Sequence, residues 1–297
     1  MDIDLVQLNF DQKSLVILQV IIGIMMFGIA LNLQISDFLD LLKKPKELIL
    51  GLFSHFLIFP LLTIALIYVM QPRASIALGL IVVASCPGGN LSNVFTNLTK
   101  GNTALSIGLT SLTTLIASIT TPIYLLSLGG MIPQASEILT RVELNPIEVI
   151  SGIFLILGLP LFLGIISKKN FPLFSIKAHK VLNKFSFLFL VIFIIGALVA
   201  NFQIFLDNIG SIVIIVLLHN LLAFFIGFSF DKFILKDKRK GIALLFNGAI
   251  RNTALGLAIV FQFFQGLGGM AIIVAWWGVS QITLSLLVSR LLKGKVK

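Results

Sequence analysis

Two short runs in an otherwise apolar chain carry the residues best suited to chemistry. One is Cys86-Pro87-Gly88-Gly89-Asn90 followed by Leu91-Ser92-Asn93, and the other is Asn247-Gly248-Ala249-Ile250-Arg251-Asn252-Thr253. Proline has no backbone N–H and consecutive glycines let a chain unwind, so a helix entering the first run should break there. The second run interrupts its apolar stretch with polar residues. An unwound segment exposes carbonyls that coordinate cations. The half-helix that follows aims unsatisfied N–H groups and the positive end of its dipole at an anion. The chemistry on offer is therefore ion binding. Catalysis is not expected: there is no mid-membrane Asp/Glu pair, no His-x-x-x-His or cysteine cluster, and no Ser/His arrangement at a working spacing. The single cysteine, Cys86, excludes an internal disulfide and reads as a small packing residue.

The layout around the two runs repeats. His55 lies 32 residues ahead of Pro87, and His219 lies 28 residues ahead of Asn247. Irregular backbone at membrane depth is tolerated only where protein or a wet cavity satisfies it, and paired broken helices in inverted repeats point to a transporter's midplane site. The elements that hold these runs must be membrane spans. The chain has 297 residues, 58% hydrophobic and 11% charged, with a mean hydropathy of +1.08. Soluble domains average about 25% charged. Apolar windows of spanning length fall near 14–33, 47–70, 75–98, 103–127, 146–167, 182–203, 210–234, 241–264 and 268–292. The expected fold is an all-α polytopic membrane protein of nine transmembrane helices with two discontinuous helices that cross. Spans two to four and seven to nine would enter from opposite sides as inverted repeats.

Charge supports this span count. The segments Lys43–Lys46, Lys100, Lys168–Lys184, Lys232–Lys240 and Arg290–Lys297 fall on one side and hold 18 of the 22 basic residues. Lys13, Arg73 and Arg141 fall on the other, which places the N-terminus outside and the C-terminus in the cytoplasm of a bacterial-type inner membrane. Asp2, Asp4 and Asp11 stand where a signal peptide would need positive charge, so the first span should be permanent. The formal charge of +10 is thus mostly an orientation signal and no nucleic-acid footprint. Arg251 is left over, inside the eighth span.

The stretches MMFGIALNLQISDFLDLLKKPKELILG and SCPGGNLSNVFTNLTKGNTALSIGLTSLTTL, the LHN of span seven and the NGAIRNTALGLA break together resemble the bile acid:sodium symporter family. The resemblance implies a single transporter unit, residues 1–297, divided into two domains. A panel of spans near 14–33, 146–167 and 182–203 would face a core near 47–127 and 210–292, with substrate exposed alternately to each side. It also implies a first sodium site at Ser92, Asn93, Ser106 and Thr110, whose hydroxyl and amide oxygens suit a hard cation. Asn90, Arg251, Asn252 and Gln281 stand where substrate would be held, and His219 and Asn220 match the family's seventh-span residues.

This chain departs from the family at the remaining ion ligands. Asn247 takes the place of a shared glutamate, Arg251 the place of a glutamine one turn later, and His55 that of another glutamine. A fixed positive charge about 4 Å from a cation repels it by about 4 kcal/mol at an effective dielectric of 20. Sodium is therefore doubtful, and the Arg251 guanidinium is expected to act as a tethered cation that also holds the two halves of span eight. No cofactor and no other metal are expected. The leading reading is a sodium-independent secondary transporter of a small organic or sterol-like anion, working by alternating access. The alternatives are a weakened sodium:organic anion symporter and a non-transporting ligand sensor. The substrate, the direction of flux and the oligomeric state are not encoded legibly.

Overall fold

The computed structural model describes residues 3–4, 12–31, 43, 45–141, 145–200 and 202–293. Asp2, Asp11, Lys44, Lys295 and Lys297, with residues 32–42 of the first matching stretch, lie outside the described residues. In chain order the helices are α1 (Gln12–Ala30), α2 (Pro45–Phe53, then a π turn at Ser54–Ile58, then Phe59–Met70), α3 (Ala74–Ser85) and α4 (Leu91–Leu98). There follow α5 (Thr103–Gly130), α6 (Pro133–Arg141), α7 (Pro146–Ile153, a π turn at Phe154–Gly158, then Leu159–Asn170) and α8 (Pro172–Ala200). The chain closes with α9 (Phe202–Phe230, ending in a π turn at Asp231–Leu235), α10 (Lys238–Ala249), α11 (Thr253–Phe263) and α12 (Gly268–Leu292).

Five of the described helices are long and apolar enough to cross a membrane: Pro45–Met70, Thr103–Gly130, Ile147–Asn170, Ile212–Leu235 and Gly268–Leu292. The shorter apolar helices include α3 and α11, which are halves of the two interrupted stretches. Leu61, Val69, Ile119, Phe162, Phe225 and Leu287 point outward from these helices and are exposed. Water would reject such a surface, whereas hydrocarbon accepts it. The protein is an integral membrane protein.

Helix ends follow local chemistry. Side-chain oxygens of Asn102, Asn145, Asp237 and Asn252 accept backbone N–H bonds in the first turns of α5, α7, α10 and α11. Gln71 and Lys236 adopt left-handed conformations, with φ of 43° and 52°, and terminate α2 and the π turn after α9. Pro60 cannot donate to the carbonyl of Phe56 one turn earlier. The Tyr124 hydroxyl of α5 donates to that carbonyl instead.

The two expected breaks are present. α3 stops at Ser85 because Cys86 turns extended, with ψ of 147°, ahead of Pro87. α10 stops at Ala249, where Ile250 is likewise extended at φ −110° and ψ 113°. The unwound segments then pair with each other. Gly89 N donates to Ile250 O at 2.8 Å and Asn252 N donates to Pro87 O at 2.9 Å, forming one antiparallel bridge between Gly88 and Arg251.

Around this bridge α3 packs on α5 and α12, α4 on α5 and α10, and α9 on α10 and α12. Gly227 of α9 lets the Leu245 backbone of α10 approach so closely that a methyl group there would strike it. α1 lies on α7 and α8. At the start of α2 the buried Glu47 accepts from Lys240 at 2.6 Å, and that bond holds the lysine above its ordinary pKa.

A methyl group added at Gly89 would sit 3.0 Å from the Arg251 carbonyl oxygen, whereas one added at Gly130 meets nothing within 4 Å. Overpacking of this kind costs about 1–3 kcal/mol. Thermal unfolding in detergent should therefore show Gly89→Ala clearly below wild type, and Gly130→Ala at or slightly above it.

Candidate functional site

The site is built on the bridge, because the bridge leaves some backbone groups for side chains to satisfy. The central one is Arg251, whose N–H and C=O both face Gln281 of α12. The N–H donates to Gln281 Oε1 at 2.8 Å, and Gln281 Nε2 donates back to Arg251 O at 3.2 Å. Gln281 is buried, and its amide acts here as a substitute peptide group. Gly88 N donates to the Thr113 hydroxyl at 3.4 Å. The brace on the break in the eighth apolar stretch is thus Gln281, a role expected above of the Arg251 guanidinium.

Five residues singled out as ion-site-like come together on one side of the bridge. Asn93 Oδ1 accepts from Ser106 Oγ at 2.7 Å and from Thr110 Oγ1 at 3.3 Å, with Ser92 Oγ at 3.5 Å. Ser92 and Thr110 hydroxyls lie 3.2 Å apart. Asn247 of α10 donates from Nδ2 to Thr110 Oγ1 at 2.8 Å. The oxygens that would suit a hard cation are therefore gathered from α4 and α5. Asn247 turns a donor toward them, where a carboxylate would have supplied negative charge.

The Arg251 side chain leaves this cluster and runs toward α2. It is 1% exposed. Its Nη1 donates to His55 Nε2 at 2.6 Å and to the carbonyl of Cys86 at 3.3 Å, the carbonyl that the first break releases. Its Cζ stands 4.4 Å from the centroid of Phe59, a cation–π contact. His55 Nε2 also lies 3.0 Å from the Cys86 carbonyl oxygen, so guanidinium, imidazole and carbonyl meet at one point. His55 is positioned by the π turn Ser54–Ile58, a local widening that often marks functional sites.

Arg251 and Glu47 are the buried Lys, Arg, Asp or Glu side chains among the described residues. Glu47 is paired with Lys240, and among the described residues no carboxylate contacts Arg251. A lone arginine at the centre of a span costs about 2.5–3.5 kcal/mol on insertion scales. Three buried nitrogens there, Arg251 Nε, Arg251 Nη2 and His55 Nδ1, have no hydrogen-bond partner.

The remaining candidates divide by role. Asn252 Oδ1 caps α11 at 3.2 Å from Leu255 N, and its Nδ2 lies 4.0 Å from Met26 Sδ of α1. Asn90 precedes α4, is half-buried and does not cap the helix with its side chain. Both half-helix N-termini thus open beside the bridge. His219 belongs to a fixed chain: Trp277 Nε1 donates to its Nδ1 at 3.0 Å, and its Nε2 donates to Thr63 Oγ1 at 2.8 Å. Its ring stacks on Phe59, with centroids 4.6 Å apart. Asn220 donates to Ser280 Oγ at 2.8 Å. Both residues tie α9 to neighbouring helices.

Sequence reasoning overlooked Phe59, Thr63 and Tyr124, and it missed the clamp made by Gln281. The signals were present but faint: Pro60 inside SHFLIFP disturbs a helix, and Gln281 is a lone amide in an apolar one.

Replacing Gln281 by leucine should strand the buried Arg251 N–H at about 1–3 kcal/mol, while Arg251 O keeps its bond from Thr253 N at 2.9 Å. Ser280→Ala, one residue away, should lose far less. Melting curves of the two variants in detergent check this.

Comparison with known proteins agrees with this architecture. Residues 19–209 match the Sodium Bile acid symporter family. The chain is 31% identical over 278 residues to the "Uncharacterized sodium-dependent transporter YocS" of Bacillus subtilis, covering 93% of this chain and 84% of that protein. It is 25% identical over 270 residues to a rice chloroplast protein, "Probable sodium/metabolite cotransporter BASS2", covering 86% of this chain and 62% of that one. It is 30% identical over 171 residues to the human "P3 protein", covering 56% of this chain and 33% of that one. The chain belongs to the sodium bile acid symporter family, a family of membrane transporters and not of enzymes.

Proposed function

We propose that this protein carries a small organic or sterol-like anion across the inner membrane by alternating access, without sodium, and that the Arg251 guanidinium supplies the positive charge an ion would otherwise bring. The observation that carries this reading is a buried arginine, anchored on His55 and on the carbonyl released by the Cys86 break, with no carboxylate among the described residues in contact with it. A sodium ion at that position would meet a fixed like charge. Repulsion of about 4 kcal/mol at 4 Å and a dielectric of 20 lowers occupancy several hundredfold.

In this proposal the nine spans form two inverted repeats. Spans near 14–33, 146–167 and 182–203 make the panel, and spans near 47–127 and 210–292 make the core. The packing of α1 on α7 and α8 supports a panel of that composition. The reach of Asn252 to Met26 of α1 supports a substrate path between panel and core, lined by Asn90 and Asn252 at the half-helix N-termini. Arg251 adds the charge there, while Gln281 contributes by keeping the Arg251 backbone in place. The basic segments orient the N-terminus outward and the C-terminus toward the cytoplasm.

The names of two relatives mention sodium, and one observation favours a second reading: the oxygens of Ser92, Asn93, Ser106 and Thr110 are gathered as a cation site would require. Weakened sodium symport through that cluster is the alternative.

Uptake of labelled organic anions by proteoliposomes, in sodium and in choline media of equal ionic strength, separates the two. Equal rates and equal half-saturation concentrations are expected. A tenfold tighter half-saturation in sodium, worth about 1.4 kcal/mol, would favour the symporter.

A further inference from the structure

The guanidinium of Arg251 is used unevenly. Nη1 makes both of its hydrogen bonds, to His55 Nε2 and Cys86 O, and Cζ stands 4.4 Å from the Phe59 ring centroid. Nε and Nη2 have no partner, although both are buried. These two atoms are not an arbitrary remainder. In guanidinium stereochemistry Nη1 lies cis to Cδ, so the Nε–H and one Nη2–H point the same way and form the side-on fork that meets both oxygens of one carboxylate. Buried donors are seldom left unmatched, and each exception calls for an explanation. Among the described residues no side-chain carboxylate supplies one, since the buried Glu47 accepts from Lys240.

We infer that the Nε–Nη2 edge of Arg251 is a receptor for one planar carboxylate, held by two parallel hydrogen bonds at the position where the family resemblance would place a cation. This rests on the reading of the protein as an anion carrier and narrows it to the ligand's anionic group. The polarity of the ion site is inverted: a fixed +1 takes up a −1 and becomes neutral, where a sodium ion would raise it to +2. Sulfonates and halides match the fork less well: a sulfonate spreads its charge over three oxygens, each a weaker acceptor than a carboxylate oxygen, and a halide presents one acceptor to two parallel donors. Neither donor is solvent-accessible in this conformation. The carboxylate therefore enters in a more open one. It can belong to the transported substrate or to a small free carboxylate acting as counter-ion.

The test uses the purified full chain in detergent, with formate and acetate as probes and chloride and methanesulfonate as controls at equal ionic strength and pH. The chain has five arginines, Arg73, Arg141, Arg239, Arg251 and Arg290. Their Nε–H resonances can be assigned by replacing the other four with lysine one at a time, so that the readout is taken on a protein with Arg251 intact. Formate and acetate should shift the Arg251 Nε–H saturably and raise the melting temperature. Chloride should do neither, and methanesulfonate should do both far more weakly. Arg251→Lys, which keeps the charge and loses the fork, should weaken acetate binding at least tenfold. An unmoved Arg251 Nε–H, or equal shifts from methanesulfonate, would overturn the inference even if sodium-free uptake of another anion persists. Sodium-dependent uptake would instead remove the sodium-free reading while leaving edge binding intact. Proteoliposomes preloaded with acetate distinguish the two sources. Acceleration of labelled carboxylate uptake identifies a free counter-ion, and competition without acceleration identifies the substrate's own carboxylate.

Discussion

A hydrocarbon interior offers nothing to an unpaired peptide group, and the two unwound segments of this protein answer that constraint with each other. Proline and glycine end α3, polar residues end α10, and both chains turn extended at the same place. The exchange of bonds between Gly89 and Ile250 and between Pro87 and Asn252 fixes their register. Everything at the site is then set relative to that bridge. Gln281 is fixed by the Arg251 peptide group, and Asn252 begins α11 immediately beyond it. The Cys86 carbonyl is freed one residue before Pro87. A site built this way has rigid backbone and can afford an awkward side chain.

Arg251 is that side chain. Its placement divides the polar interior into two unlike halves. Near α4 and α5, neutral hydroxyl and amide groups satisfy one another around Asn93 Oδ1. Near α2, a full positive charge rests on an imidazole, a carbonyl and an aromatic face, three partners that attract a cation without cancelling it. The first half needs nothing further. The second keeps an uncompensated charge in a low-dielectric setting, where a net +1 favours any arriving anion over any arriving cation. Family membership alone would not predict this asymmetry, which comes from Asn247 and Arg251 as they stand in this sequence.

Much of this is legible in the sequence. The breaks announce themselves because Pro87, Gly88 and Gly89 cannot continue a helix and Asn247, Arg251 and Asn252 have no place in an apolar one. Asn93, Ser106 and Thr110 were expected to meet and do. Other features depend on partners far away in the chain, and no local pattern encodes them. The sequence pointed to two broken helices but not to the hydrogen bonds between them, since the Gly88 and Arg251 pairing joins segments separated by most of the chain. Gln281 looked like a cavity residue because a lone amide in an apolar helix invites that reading. Its actual partner is a peptide group exposed only by a break in another helix. The guanidinium was expected to hold its own span together. It turns instead to His55, whose inward position depends on a π turn that residue periodicity does not reveal.

The central claim is that Arg251 replaces an ion's charge, and it is tested most directly by exchanging that charge. The pair Asn247→Glu and Arg251→Gln substitutes a fixed −1 for a fixed +1 beside oxygens already gathered by Ser92, Asn93, Ser106 and Thr110. Sodium-dependent thermal stabilisation, which rises with occupancy of a site present only in the folded state, should be measured for wild type, both single variants and the pair. The account predicts a sodium-dependent rise for the pair, little for Arg251→Gln, which gains no negative group, and little for Asn247→Glu, whose carboxylate would pair internally with Arg251. A folded double variant that gains no more from sodium than wild type does would contradict it.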